Sequence, residues 1–482
     1  MHKVLKHCDC GLRHVLLAVL LIGMLPTAVA YMATNSIIAI VPLGPPSETG
    51  DASAVAVDGR TGRVFAAGSG STTSQISMLD AATGGLLQAL TTGPAVDGSV
   101  ESIDLDEARG RALVLTDPGT TGQGHGPPGR VSVLDARTGR VLRSTVVGPT
   151  PRPVALDERH GHFFVLTTDA NGAGRIAMVD TVSGRVLRVS AIAAGAGNYQ
   201  GPNGVALDGT RGRLFVSTVG LDDKGYVSVL DTRSGAVERT ISLGAAIQGS
   251  GEMAADERAG RVFVSSGDHV LALNALDGRV LRSVSVATTV VGVVDDTRAG
   301  HVFVTAGRGV LMLDARSGAL LRTTHSPGLP GGVLVDIGPA GRVFLTSTED
   351  TGAILLTVLD AATGALVRTI DEGAQAGLVR VVDGRTGRVF LTGPGPYKDG
   401  RYTRGGVIVV RDARTGLIRQ TIETGSKPME TVVNERTGAA FVLDSGEDTL
   451  TVFAPGFGAA TPPSSPSKSA IFAQRPEKVK SA

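Results

Sequence analysis

Residues 208–244 contain three runs: Asp208-Gly-Thr-Arg-Gly-Arg-Leu-Phe-Val-Ser217, then Tyr226-Val-Ser-Val-Leu-Asp231, then Val237-Glu-Arg-Thr-Ile-Ser-Leu-Gly244. The runs are short, β-rich and bounded by Gly, Asp and Thr, which is too little length for helices. Asp208–Gly212 and Asp231–Gly235 share the pattern Asp-x-x-x-Gly. An Asp carboxylate can accept backbone N–H bonds just ahead of it, and Gly four residues on supplies a positive φ without a steric penalty. Each such string is therefore expected to close a hairpin with a short bulged loop. The stretch reads as four strands: a ends at the first Asp, b holds the Phe, and the second turn joins c to d.

The same unit is found along the rest of the chain. The first turn begins at Asp58, Asp106, Asp157, Asp208, Asp256, Asp296, Asp336, Asp383 and Asn434, spaced 40 to 51 residues apart with a mean of 47. Phe follows at 65, 164, 215, 263, 303, 344, 390 and 441, with Leu113 in the second copy. The second turn begins at Asp80, Asp135, Asp180, Asp231, Asn274, Asp314, Asp360 and Asp412. A repeated four-stranded unit of this length is a propeller blade. The fold class is all-β: a β-propeller of four-stranded antiparallel blades. The ninth copy stops after strand c, Thr449-Leu-Thr-Val-Phe453, and Ser36-Ile-Ile-Ala-Ile-Val41 can supply its strand d. Pairing of the two ends would close the ring and remove its open edges. Nine blades are expected; eight blades with one displaced repeat is the alternative, since four to eight is usual.

Composition agrees with one large repetitive domain. The 482 residues include 66 glycines, about twice the ordinary share of ~7%, without a Gly-X-Y period. Apolar residues make up 42% and charged residues 19%, enough for an extensive core. The formal charge of +1 gives no sign of a nucleic-acid partner.

Three segments are expected: residues 1–30 a signal peptide, 31–454 the propeller, and 455–482 a disordered tail. Lys3, Lys6 and Arg13 form a basic start, Val15–Leu25 an apolar run, and Ala28-Val-Ala30 a small-residue cleavage site. An uncleaved N-terminal anchor is the other reading. Cys8 and Cys10 are the chain's two cysteines, so a cut after Ala30 leaves none and excludes thiol catalysis. The expected location is extracytoplasmic: secreted, periplasmic or cell-surface, and membrane-anchored if the signal is retained. The tail is rich in Pro, Ser and Ala and carries a net +3, against −4 for residues 31–454.

Chain parity sorts the connections. The a–b and c–d turns share one end of the ring and are uniform. The b–c loops and d-to-a connections share the other and vary. Function tends to sit on variable loops held by a rigid scaffold. Tyr199, Tyr226, Tyr397 and Tyr402 all fall at the variable end, with Lys224, Lys398 and Lys427. Tyr397-Lys-Asp-Gly-Arg401-Tyr402-x-Arg404 is the first candidate recognition patch, because Tyr offers large contact area and one hydroxyl. A solvated polar loop is the competing reading. Lys224 and Tyr226 belong to the same end. Tyr199 and Asn203, in a connection leading to an innermost strand, are candidates for a small polar ligand at the channel mouth, with His325.

Other motifs carry less. Gly124-His-Gly126-Pro-Pro-Gly129 fits a dinucleotide fingerprint on paper but opens no helix. His160-Gly-His162 stands inside a regular turn, and Asp169-Ala-Asn171-Gly is half a calcium loop. No catalytic residue, cofactor or metal site is assigned. A monomer is expected.

The strings at 208–217, 226–231 and 237–244 resemble the YVTN β-propeller repeat of YncE-like bacterial exported proteins, and the likeness extends over about 36–454. It implies the fold and export but carries no catalytic set. The usual family member has seven blades, so nine copies is a departure. Two functions are open. One is a binding or scaffold module presenting its variable face to a protein, glycan or cell-envelope partner, with no membrane insertion after signal cleavage. The other is an enzyme or redox-cofactor protein, lactonase-like or quinoprotein-like, with a site at the channel mouth.

Overall fold

The computed structural model describes residues 37–43, 54–68, 75–91, 99–118, 127–169, 171–193, 203–220, 222, 224–244, 252–286, 288–336, 341–350, 353–373, 378–383, 386–393, 397–398, 401–402, 405–425, 427–444 and 448–453. Nine four-stranded antiparallel sheets form a ring, and no helix occurs among the described residues. Blade four is representative: Gly204–Asp208, Arg213–Val219, Gly225–Asp231 and Val237–Gly244 pair in that order. Each strand a touches strand a of both neighbouring blades all the way round, so these strands form the innermost ring and strands d the rim.

The ring closes as the sequence requires. In the ninth blade the order is Ile37–Pro42, Thr449–Phe453, Ala440–Asp444, Pro428–Val433. Val41 stands opposite Leu450 and Ile40 opposite Thr451, so the beginning of the chain supplies strand d. The eight-blade alternative is excluded.

The turn chemistry is visible atom by atom. Asp58 Oδ1 accepts the N–H groups of Arg60 and Thr61 at 2.8 Å each, and Gly62 N donates to Asp58 O at 2.9 Å. Gly62 has φ 67°, and the equivalent Gly of every a–b and c–d turn has positive φ. These Asp residues are structural.

The core lies between blades. Phe65 and Ile76 of blade one pack with Val100, Ala112 and Val114 of blade two, all buried. Every strand-b Phe, and Leu113 in its place, is fully enclosed. In blades three, four, five, six and eight the residue after the a–b turn ties its blade to the next. Arg213 donates to Asp231 Oδ2 at 2.7 Å and to Leu276 O of the next blade at 3.1 Å. His162 Nδ1 bonds Thr232 O at 2.7 Å, and His301 Nδ1 bonds Ala361 O at 3.0 Å. The uniform end therefore combines the repeated Asx turns with hydrogen bonds between many of the neighbouring blades, which explains its uniformity.

Candidate functional site

The variable end has two Tyr/Lys sites, and they lie on opposite sides of the ring. In blade four, Tyr226 opens strand c and Lys224 stands just before it. Both converge on Asp222. The Tyr226 hydroxyl donates to Asp222 Oδ2 at 2.8 Å, and Lys224 Nζ lies 3.2 Å from the same oxygen. Gly220 makes the approach feasible: a Cβ there would come within 2.7 Å of Asp222 Oδ1 and of the Tyr226 ring. The Tyr226 hydroxyl, then Lys224, hold the Asp222 carboxyl below its usual range. Asp222 in turn raises both Lys224 and Tyr226. All three side chains are exposed or half-exposed, so the triad is an accessible polar cluster.

In blade eight the long b–c connection contains a ladder of its own. Tyr397–Lys398 pairs with Arg401–Tyr402, with Tyr397 opposite Tyr402 and Lys398 opposite Arg401. Asp399 and Gly400 lie between the paired residues, the two-residue hairpin signal. The backbone thus sets the two tyrosines in register, which a plain loop would not do. Arg404 and Tyr199 lie outside the described residues.

Asn203 leads into the innermost strand of blade four, and its N–H donates to Ser217 O at 3.0 Å. His325 ends strand d of blade six, paired with Gly309, and so lies at the rim. These two candidates differ in both blade and radius, and the fold does not bring them together.

The central channel has a cavity of about 540 Å³, lined by innermost-strand residues such as Val55, Ile103, Asp104, Val381 and Val433, and by Glu158. Sequence reading missed the carboxylates of the innermost strands. Burial raises Asp104, although the Ser102 hydroxyl donates to it at 2.7 Å. Burial also raises Glu430, and the charge of Asp104 adds to this; Val55 N–H, 3.1 Å from Glu430 Oε2, opposes it. Across the ring Asp295 is pushed up to about 6 by burial and then by Asp256. The signal was present in the sequence: Asp104 and Asp295 are carboxylates inside strand a, two and one residues before the turn Asp and masked by it.

The remaining motifs resolve as structure. His160 Nδ1 lies 2.6 Å from Asp157 Oδ2, and Arg233 Nε donates to His160 Nε2 at 3.0 Å. Asp169 Oδ1 accepts from Asn171 N and Ala173 N, and its Oδ2 accepts from Arg175. Among the described residues no three His, Cys, Asp or Glu side chains gather as a metal site.

The two ends differ in charge. By sequence position, the a–b turns, the c–d turns and the strand-d starts carry 28 Arg against 21 Asp and Glu. The rest of 31–454 carries 11 Lys and Arg against 22 Asp and Glu.

Fold and site define a nine-bladed β-propeller. Two solved structures agree at the level of fold. A eukaryotic initiation factor is 12% identical, with 80% of this chain and 91% of that one covered, at a TM-score of 0.54. The dihydro-heme d1 dehydrogenase NirN in complex with DHE is 14% identical, with coverages of 80% and 78%, at 0.50. BamB from Moraxella catarrhalis is 16% identical, with coverages of 87% and 99%, at 0.48. No family model and no curated protein matches the chain.

Proposed function

We propose that the chain is an exported, YncE-like propeller that works as a binding module through its variable end. The observation that carries this reading is the asymmetry of the ring. One end is a repeated set of hydrogen-bonded Asp-to-Gly turns in which each turn has the same task. The other holds two Tyr/Lys sites, one an accessible cluster around Asp222 and one built on an extra hairpin. Aromatic and cationic groups on a rigid frame are what a protein or glycan partner engages. Export rests on residues 1–30 read as a cleaved signal, and 455–482 is read as a spacer. Native mass spectrometry of protein recovered from its own compartment tests the cut after Ala30 and monomeric state. Alanine at Tyr397, Lys398 and Tyr402 is expected to remove a photo-crosslink placed at position 401 to the partner. An unchanged crosslink would contradict the reading.

The channel supports a second reading, a small-ligand or catalytic site. It rests on the cavity and on the raised Asp104 carboxyl beside it. Asp104→Asn would then abolish activity or ligand uptake while the crosslink at 401 persists.

A further inference from the structure

The uniform end has a surface that interblade bonding does not explain. Its acidic side chains are mostly consumed by the turns: Asp58, Asp106, Asp157, Asp208, Asp256 and Asp296 are buried. Most of its arginines are exposed. Among the described residues of the a–b turns, c–d turns and first three positions of strand d, 18 arginines are exposed, against four exposed carboxylates, Glu158, Glu238, Asp277 and Glu435. No lysine occurs at this end. The face thus presents mainly guanidinium groups to an approaching surface.

Where this face meets the rim, the outer strands of most blades begin with exposed aliphatic residues. Leu86 and Leu87, Leu320 and Leu321, and Leu366 and Val367 are each 46–54% exposed. Equivalent residues recur at Val280, Leu281 and Leu417. An exposed aliphatic at one rim position is unremarkable; repetition around the disc gives an apolar girdle bordering a guanidinium-covered face. Ile37 opens the outer strand of blade nine at this same end, so the chain enters the disc here.

We propose that the uniform end is a docking face for an anionic lipid bilayer. Guanidinium groups grip phosphate by paired N–H donors, and the girdle enters the headgroup boundary. A nucleic acid would be matched by the arginines but would leave the girdle in water. Docking in this pose turns the variable end away from the membrane.

The test is co-sedimentation of the full chain with vesicles of phosphatidylglycerol and phosphatidylcholine, and with vesicles of phosphatidylcholine alone. Binding is expected to require the anionic lipid and to fall as salt is raised. Arg137, Arg316 and Arg414 are exposed turn arginines. The triple variant Arg137→Glu, Arg316→Glu, Arg414→Glu should lose about a hundredfold or more in affinity, at roughly fivefold for each charge removed. A second variant, Leu87→Ser, Leu321→Ser, Leu366→Ser, should weaken vesicle binding while leaving any duplex DNA binding unchanged. Equal binding to both vesicles overturns the proposal, because the apolar N-terminal run alone would then suffice. So does duplex DNA binding that outcompetes vesicles, or arginine reversal without effect in a variant that keeps its melting temperature.

Discussion

Single side chains decide whether the candidate sites are chemistry or frame. Tyr226 holds Asp222 by one hydroxyl hydrogen bond of 2.8 Å. Tyr226→Phe removes that donor, so the Asp222 carboxyl should titrate nearer its ordinary value, read by carboxyl NMR against pH. No change would mean that Lys224 alone sets it. Asp295 makes the opposite case. Its carboxyl is raised to about 6 in the folded ring, by burial first and then by Asp256. The folded state therefore binds that proton more tightly than the unfolded chain, and ionisation removes stability as pH rises through about 6. Asp295→Asn should raise the melting temperature at about pH 8, with the gain shrinking as pH falls to about 4. A gain independent of pH would contradict the shift. The turn Asp residues were legible as structural, because one residue type at one recurring turn is what an Asx turn requires. Asp222 was not, since its role depends on a three-body contact across a variable loop.

Among the elements, strand order and the a–b and c–d turns were readable throughout. Strand lengths, Gly positions and the Phe of strand b repeat with little variation, and the repeat unit demanded four strands. The b–c connection of blade eight reads as a candidate recognition patch or a solvated polar loop, without the hairpin it contains. Its Asp399-Gly400 signal was in plain view, but no alternating apolar run flanked it. The seam between blades eight and nine offers a stability test. Arg388 and Asp383 are both fully buried, 2.6 Å apart, and Arg388 also reaches Gly438 O of blade nine. Burial pushes Asp383 up, and the Thr386 and Arg388 hydrogen bonds outweigh it and hold the carboxyl low. Arg388→Met strands that carboxylate, and should cost about 3–5 kcal/mol in urea unfolding. A loss below about 1 kcal/mol would show that the pair is not doing this work.

For the molecule as a whole, closure by residues 37–42 is the feature that makes nine repeats one domain. Without it, strand c of blade nine is an open edge. A chain beginning at residue 44 should unfold at lower temperature and self-associate, and a peptide of residues 36–43 should restore the monomer. An unaltered melt would mean that the other eight blades hold the ring without the clasp. The ring has a bonded positive end and a variable end with an acidic balance, and the account assigns partner binding to the second. Hydrogen–deuterium exchange of the full chain, with and without envelope extract from its source cells, tests this most directly. Slower exchange is predicted at residues 220–226 and 397–402, with the innermost strands unchanged. Protection confined to 103–106 and 431–433, the channel wall, would contradict the binding-face account and place function in the channel.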